Sequence, residues 1–153
     1  MIGITAYGAY LPRARLQKQV IADANAWFDS GLRGLAKGEK TMCNWDEDAI
    51  TMATEAFADA MGRVPAKAPT ALLLASTSLP FADRQNSVVV AEAANLDTSN
   101  LRTMDITCSQ RAATSALLAA LDIAAAGRGD AVVVASEHRL TKCASREEML
   151  YGD

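Results

Sequence analysis

The sequence predicts an α/β fold: a layered, largely parallel mixed sheet with helices, one of them central and buried. Short β-branched or Leu-rich runs alternate with stretches of helical spacing, which is typical of parallel sheets. The chain has 153 residues, 50% hydrophobic, 22% charged and 5% aromatic, which is enough to bury a core. The stretch after Thr107 is apolar around most of its circumference, which predicts a helix covered on both sides.

The N-terminal part of the chain carries strand, helix and loop signals in turn. Ile2 to Tyr7 is a short β-branched run and predicts a strand. The apolar spacing from Leu16 to Phe28 predicts a helix. A loop rich in glycine and basic residues is expected from Gly31 to Lys40.

The remaining elements alternate in the order that parallel sheets require. A helix is expected to end at Met61, with Asn44 or Asp46 as its N-cap. Asp83 or Ser78 is expected to cap a later helix. The other predicted elements are a strand from Thr70 to Ser76, a helix from Arg84 to Leu96, a strand from Leu101 to Thr107, a helix from Gln110 to Ala126 and a strand from Ala131 to Ser136.

Charge and cysteine content exclude several classes of protein. The net charge is -3, whereas nucleic-acid binders normally carry a basic surplus, so no nucleic-acid partner is expected. No signal peptide or membrane span is visible, so we expect a cytoplasmic protein with no membrane partner. Three scattered cysteines, without a CxxC pair and with His138 as the single histidine, predict no disulfide framework and no metal site.

The most reactive candidate is Cys108, at the junction between a predicted strand and a predicted helix. The positive end of a helix stabilises a thiolate, which is the nucleophilic form, and Arg111 is close enough in sequence to add to this effect. The alternative is an inert structural thiol, because unpaired cysteines are among the most buried residues. The residues alone leave both interpretations open.

Several segments together resemble the thiolase superfamily. The segment from Met104 to Leu117, followed by Asp130-Ala-Val-Val-Val-Ala-Ser-Glu137, looks like the nucleophile region of that superfamily. Ile4 to Pro12 fits its first strand, and Gly38 to Ala53 is most similar to 3-hydroxy-3-methylglutaryl-CoA synthases. Tyr151-Gly152-Asp153 looks like the start of a Gly-Asp-Gly-Ala stretch. The resemblance covers essentially the whole chain.

The resemblance implies an acyltransferase that performs Claisen-type chemistry on thioesters of coenzyme A or an acyl carrier. Coenzyme A is then part of the substrate, and no separate cofactor is expected. The family fold has two similar halves, so residues 1–153 correspond to the N-terminal half, and the C-terminal half is absent from this chain. We therefore expect this half alone to be inactive. Either the sequence is a truncated piece of a longer chain, or a homodimer, another homo-oligomer or a companion polypeptide supplies the second half.

Two positions depart from the family pattern. Aligning Thr114 to Leu117 with the family helix places Gln110 at the position of the nucleophile, with Cys108 two residues earlier. An amide cannot form an acyl-enzyme, so Gln110 implies a non-condensing protein, whereas a shifted turn would bring Cys108 into reach. Thr77 occupies the position of the catalytic glutamate in hydroxymethylglutaryl-CoA synthases, and it cannot act as a carboxylate base.

The remaining site candidates concern substrate binding. Thr77 and Arg111 are expected to contact the thioester, and Arg33 and Lys37 to meet the phosphates of coenzyme A. The alternative for the two loop cations is an ordinary solvated loop. His138 is expected to be a structural or surface residue. A non-catalytic subunit that binds acyl-CoA within a larger complex, or a generic α/β domain, is the competing interpretation of the whole chain.

Overall fold

The computed structural model of the protein describes residues 2–64 and 68–153. The chain divides into two compact units. The sheet unit comprises Met1–Tyr10 and Asp48–Glu137, and the hairpin unit comprises Leu11–Glu47 and His138–Asp153. Among the described residues, no helix is both long and apolar enough to span a bilayer.

Within residues 2–64 and 68–153, the two units contain five strands and five α-helices. The strands are β1 (Ala14–Gln17), β2 (Glu39–Met42), β3 (Ala71–Ala75), β4 (Arg102–Ile106) and β5 (Ala131–Ala135). The helices are α1 (Lys18–Asn25), α2 (Ala49–Met61), α3 (Asn86–Ala93), α4 (Ala112–Ala125) and α5 (Arg146–Leu150), and a 3-10 helix covers Ser30–Leu35.

The sheet unit is built on three parallel strands in the order β4-β3-β5. Leu73 in the central strand pairs with Met104 on one side and Val133 on the other. All five residues of β3 are buried, which agrees with a strand covered on both faces. The three predicted strands and their parallel arrangement are confirmed to within two residues at each end.

Side chains of β3 alternate between two cores, because successive residues of a strand point to opposite faces. Leu72 and Leu74 belong to a cluster with residues of α2 and α3. Ala71, Leu73 and Ala75 belong to a second cluster with Ala112 and Ala116 of α4. The sheet unit therefore has three layers, with α2 and α3 on one face of the sheet and α4 on the other.

Helix α4 buries only one of its faces in this chain. Ala112, Ala116 and Ala120 are buried, whereas Leu118 on another face is 59% exposed. We expected this helix to lie between two layers. Within the described residues, only one layer covers it. Leu118 shares this exposed face with Thr114, Ser115 and Asp122, so the face carries both apolar and polar side chains.

Helix α2 begins with a capping box at Asp48. The Asp48 carboxylate accepts hydrogen bonds from the backbone N–H groups of Ile50 and Thr51, both at 2.8 Å, and the Thr51 hydroxyl accepts one from the Asp48 N–H. The predicted caps Asn44 and Asp46 are wrong. The segment before Asp48 forms a turn instead, in which the backbone N–H of Asn44 donates to the carboxylate of residue 47 at 2.7 Å.

The hairpin unit corrects two sequence predictions. The predicted helix starts too early, because Leu16 and Gln17 belong to β1, which pairs antiparallel with β2, so α1 begins only at Lys18. The predicted loop from Gly31 to Lys40 contains most of the 3-10 helix and the start of β2. Local spacing could not show this pairing, because its partner strand is distant in sequence. Ile21, Leu32 and Met149 form the core of this unit.

The predicted N-terminal strand from Ile2 to Tyr7 is wrong for this structure, because residues 2–10 join no sheet ladder. The segment is tied instead to the end of α2, where the Ala9 N–H donates to the Asp59 carboxylate at 3.0 Å. Gly8 lies so close to α2 that an added Cβ would be 2.3 Å from the Ala60 nitrogen. A cavity of about 430 Å³, lined by this segment, α2, α4 and β5, occupies the space beside the sheet.

Candidate active site

The carboxyl edge of the parallel sheet collects most of the predicted site residues. Thr77 follows β3, Cys108 follows β4, and Glu137 follows β5. Because the strands are parallel, all three of these segments leave the sheet at the same edge. Ligands of open α/β sheets bind at this edge. The sheet topology therefore assembles a candidate site from residues that are distant in sequence.

Glu137 joins the segment after β5 to the segment after β3. One of its carboxylate oxygens accepts a hydrogen bond from the Thr77 backbone N–H at 2.7 Å. The other oxygen accepts from the Thr77 hydroxyl at 2.9 Å and from the Ser78 hydroxyl at 3.0 Å. Bonds to an ionised acceptor are the stronger class, so this network fixes the geometry of the edge. Sequence analysis did not assign a role to Glu137, although it immediately follows the predicted last strand.

Cys108 is exposed and has a left-handed backbone conformation, with φ of 62°. This conformation costs an L-residue other than glycine about 1–2 kcal/mol. Such strain is concentrated at functional sites, where the surrounding structure maintains it. The structure thus places the candidate nucleophile in the connection between β4 and α4, with its side chain accessible. Cys108 is therefore not a buried thiol in this structure.

Gln110 and Arg111 lie in the turn that immediately precedes α4. Ser109 closes this turn, since its carbonyl oxygen accepts from the Ala112 N–H at 3.0 Å and its hydroxyl accepts from the Arg111 N–H at 3.1 Å. The helix begins at Ala112, two residues later than predicted, with Arg111 at the N-cap position. Gln110 and Arg111 are both exposed. Gln110 is therefore closer than Cys108 to the positive end of α4 along the chain.

Asp105 in β4 supports the candidate site through hydrogen bonds to the start of α3. Sequence analysis assigned no role to this residue. Its carboxylate accepts bonds from the backbone N–H groups of Asn86 at 2.6 Å and Ser87 at 2.8 Å, and from the Asn86 side-chain amide at 2.9 Å. Burial raises the pKa of Asp105, but the hydrogen bonds from Ser87 and Asn86 outweigh burial, so the pKa lies below its usual value. The predicted caps of α3, Asp83 and Ser78, are wrong because Asp105 supplies the cap across the sheet.

Asn86 extends this support to the loop after β3. It is buried, with 2% of its surface exposed. Its amide oxygen accepts from the Phe81 N–H at 3.0 Å, and its amide nitrogen donates to the Phe81 carbonyl at 2.9 Å. Asp105, three residues before Cys108, is therefore connected through Asn86 to the loop that begins near Thr77. The available sequence signal was an acid between two apolar residues, Met104 and Ile106, of a predicted strand.

The two predicted phosphate-binding cations belong to the hairpin unit. Arg33 lies in the 3-10 helix, and Lys37 lies in the turn before β2, and both are exposed. The adjacent Lys40 donates to the carbonyl of Glu148 at 3.2 Å. The structure thus divides the predicted site residues, with Thr77, Cys108, Gln110 and Arg111 in the sheet unit and the two cations in the hairpin unit.

Comparison with known proteins tests the predicted family. No protein-family model matches the chain. The hydroxymethylglutaryl-CoA synthase of Thermococcus sibiricus is 34% identical to it over 128 residues, which are 82% of this chain and 35% of that protein. The chain therefore spans about a third of the length of the curated relatives that it matches.

Solved structures give the same answer for the fold. MvaS in complex with 3-hydroxy-3-methylglutaryl coenzyme A matches with a TM-score of 0.83 at 23% identity, over 96% of this chain and 36% of that one. β-Ketoacyl-[acyl carrier protein] synthase III from Thermus thermophilus matches with a TM-score of 0.83 at 20% identity, over 99% of this chain and 49% of that one. The chain thus has a thiolase-like fold, and its sequence is similar to that of the hydroxymethylglutaryl-CoA synthases.

Proposed function

We propose that this chain carries part of the active site of an enzyme that transfers or condenses acyl groups held as coenzyme A or acyl-carrier thioesters. The observation that carries the proposal is Cys108, an exposed thiol in a left-handed conformation at the carboxyl edge of the sheet. The sequence similarity to hydroxymethylglutaryl-CoA synthases supports a thioester substrate. So does the similarity of fold to MvaS, which was solved in complex with 3-hydroxy-3-methylglutaryl coenzyme A.

In the proposed reaction the Cys108 thiolate attacks the carbonyl carbon of the acyl thioester. A new carbon–sulfur bond forms to the enzyme, the bond to coenzyme A breaks, and the coenzyme A thiolate leaves and takes up a proton. The acyl group then passes to a second nucleophile. Covalent catalysis of this kind divides a difficult transfer into two easier steps. Hydrogen-bond donors must also stabilise the oxyanion of each tetrahedral intermediate.

Glu137 has a positioning role in this proposal. Thr77 lacks the carboxylate that hydroxymethylglutaryl-CoA synthesis is expected to need as a base. Glu137 brings a carboxylate to Thr77, but both of its oxygens already accept hydrogen bonds from Thr77 and Ser78. We therefore assign Glu137 the role of holding these hydroxyl side chains in place, and we favour acyl transfer over synthesis of hydroxymethylglutaryl-CoA.

Gln110 supports a second candidate function, the binding of a thioester without formation of an acyl-enzyme. Helix α4 begins at Ala112, so Gln110 lies nearer than Cys108 to its positive end in the sequence. A side-chain amide can orient a thioester by hydrogen bonding but cannot accept the acyl group. In this case the chain would serve a non-condensing enzyme or an acyl-CoA-binding subunit.

The exposed face of α4 supports a partner for this chain. Leu117 is 38% exposed and Leu118 is 59% exposed, on a helix made mostly of Ala and Leu. We propose that a second thiolase-like half covers this face, supplied by another copy of the chain or by a companion polypeptide in the cytoplasm. Light scattering during size-exclusion chromatography tests this directly. A monodisperse monomer at every protein concentration, with no shift for Leu118→Asp, would contradict self-association.

Mass spectrometry distinguishes the two functions. We would incubate the protein, assembled with its second half, with acetyl-CoA, measure the intact mass and map any adduct by peptide analysis. One acetyl group on Cys108, lost in Cys108→Ala and retained in the control Cys143→Ser, is the expected result. Acetyl-CoA binding that persists without an adduct, and that is lost in Gln110→Ala, would favour the second function. Neither binding nor an adduct would refute both.

A further inference from the structure

The hairpin unit brings together three potential metal ligands that lie far apart in the sequence. Cys43 follows β2, His138 lies beyond β5, and Asp153 lies beyond α5. The Cys43 sulfur, a ring nitrogen of His138 and a carboxylate oxygen of Asp153 all lie within 4.8 Å of one another. All three residues are half-buried. We propose that these three side chains bind a Zn²⁺ ion.

The backbone holds Asp153 against the end of β2. The carboxylate of Asp153 accepts a hydrogen bond from the Cys43 N–H at 2.9 Å, and its backbone carbonyl accepts one from the Thr41 hydroxyl. Gly152 permits this approach, because an added Cβ would lie 2.6 Å from the Thr41 hydroxyl oxygen. Two of the three proposed ligands are therefore fixed relative to each other before any metal binds, as a metal site requires.

The third ligand is attached to the same place by its neighbour. Arg139 stacks on the ring of Tyr151, with 4.4 Å between the guanidinium carbon and the ring centre. This cation–π contact joins the residue after His138 to the segment that carries Asp153. Three segments of the hairpin unit therefore converge on one point, and each of them contributes one potential ligand.

The chemistry of the donor set fits zinc. A thiolate, an imidazole and a carboxylate are the three side-chain types that bind Zn²⁺, and the thiolate disfavours Mg²⁺ and Ca²⁺. With a neutral imidazole, the two anionic ligands balance the charge of the ion. Tetrahedral zinc places its ligand atoms about 3.3–3.8 Å apart, so the cluster needs to contract only slightly. Three protein ligands leave the fourth position to water or to another small ligand.

The sequence prediction of no metal site followed from the absence of any short ligand motif. This site has none, because its members come from three separate segments. It is also independent of the function proposed for Cys108, which lies in the other unit. Cys143 provides a matched control, since it is an exposed cysteine of the same unit and is not a member of the cluster.

Equilibrium dialysis with Zn²⁺ alone tests the proposal, followed by Co²⁺ substitution monitored by absorption. We expect one Zn²⁺ per chain, and a thiolate-to-cobalt charge-transfer band that disappears in Cys43→Ser. Cys43→Ser and Asp153→Asn should each weaken Zn²⁺ binding by on the order of 100-fold, since even the loss of a supporting residue costs 10–100-fold. Cys143→Ser should bind Zn²⁺ like the wild type.

Two further measurements keep the outcome interpretable. Circular dichroism establishes that each variant is folded, and Asp153→Asn keeps an oxygen that can still accept the Cys43 N–H. Less than one Zn²⁺ per wild-type chain would overturn the proposal. So would a cobalt charge-transfer band that survives in Cys43→Ser, or an equal loss of binding in Cys143→Ser.

Discussion

Removing the Asp105 carboxylate should lower the unfolding free energy of the sheet unit. The size of this loss follows from the hydrogen bonds that the carboxylate accepts. Asp105→Ala leaves the two backbone N–H groups at the start of α3 and the Asn86 amide without their acceptor. Loss of an N-cap costs about 0.5–2 kcal/mol, and an unsatisfied buried donor costs about 1–3 kcal/mol. Asn86 and Ser87 are almost fully buried, so water replaces the carboxylate poorly. We expect a loss of about 2–4 kcal/mol.

Urea denaturation measures this loss. With a slope of about 1–3 kcal/mol per molar urea, the midpoint should fall by about 1–2 M. Asp105→Asn, which keeps one acceptor oxygen, should lose about half as much. The control Asp122→Ala changes an exposed acid on α4 and should shift stability by less than about 0.5 kcal/mol. Equal midpoints for Asp105→Ala and the wild type would refute the assignment of Asp105 as the cap.

The same residue predicts a pH dependence. The pKa of Asp105 in the folded protein lies below its usual value of 3.8. Its ionised form therefore stabilises the fold above the unfolded-state pKa, and this contribution disappears as the pH falls through the lower folded-state value. The difference in unfolding free energy between the wild type and Asp105→Asn should be constant near neutral pH and should shrink below about pH 4. A difference that grows on acidification would contradict this reasoning.

Three further substitutions test other parts of the sheet unit. Glu137→Gln replaces one carboxylate oxygen with a donor that cannot accept from a hydroxyl, so we expect a loss of about 1–2 kcal/mol in urea denaturation and faster proteolysis after β3. Asp48→Ala removes the capping box of α2 and should cost about 1 kcal/mol, measured by thermal denaturation. Gly129→Ala should cost about 1–3 kcal/mol in urea, because φ is 99° and a Cβ would lie 2.6 Å from the Thr70 side chain.

Matched variants provide the controls for these three changes. Asp46→Ala removes an exposed acid close to the same helix and should leave the melting temperature nearly unchanged. Gly34→Ala adds a methyl group where no atom lies within 4 Å. A control that loses as much stability as its test variant would show that the loss does not come from the specific contact. An unchanged proteolysis rate for Glu137→Gln would argue against its role as a tie between strands.

The sequence was sufficient for the layered core but not for the pairing of distant segments. The Leu-rich run at β3 and the apolar helix α4 carry strong local patterns, and the structure has both where they were expected. The antiparallel pair of β1 and β2 escaped prediction because Leu16 and Gln17 also fit the spacing of the predicted helix and β2 is distant in sequence. Ile2 to Tyr7 has a strand pattern, yet its contacts with the end of α2 prevail in the structure.

The residues of the candidate site also divide into those that a local sequence pattern reveals and those that depend on the pairing of distant segments. Cys108 could be found from the sequence because a thiol between a strand and a helix is a local signal. Glu137, Asp105 and the zinc-binding cluster depend on which strands become neighbours, and no short motif contains that information. The cap of α3 was mispredicted for the same reason. The Asp105 carboxylate on β4 accepts the hydrogen bonds at the start of α3, and the residue just before the helix makes no such bond with its side chain.

The left-handed backbone at Cys108 has a consequence for the thermodynamic balance of the whole chain. Glycine would adopt this conformation without the steric penalty, so Cys108→Gly should raise the unfolding free energy by up to about 1 kcal/mol. A protein selected for stability alone would therefore carry glycine at this position. If Cys108→Gly is more stable and cannot be acylated, the difference in unfolding free energy is the stability that the protein loses by having a thiol at position 108.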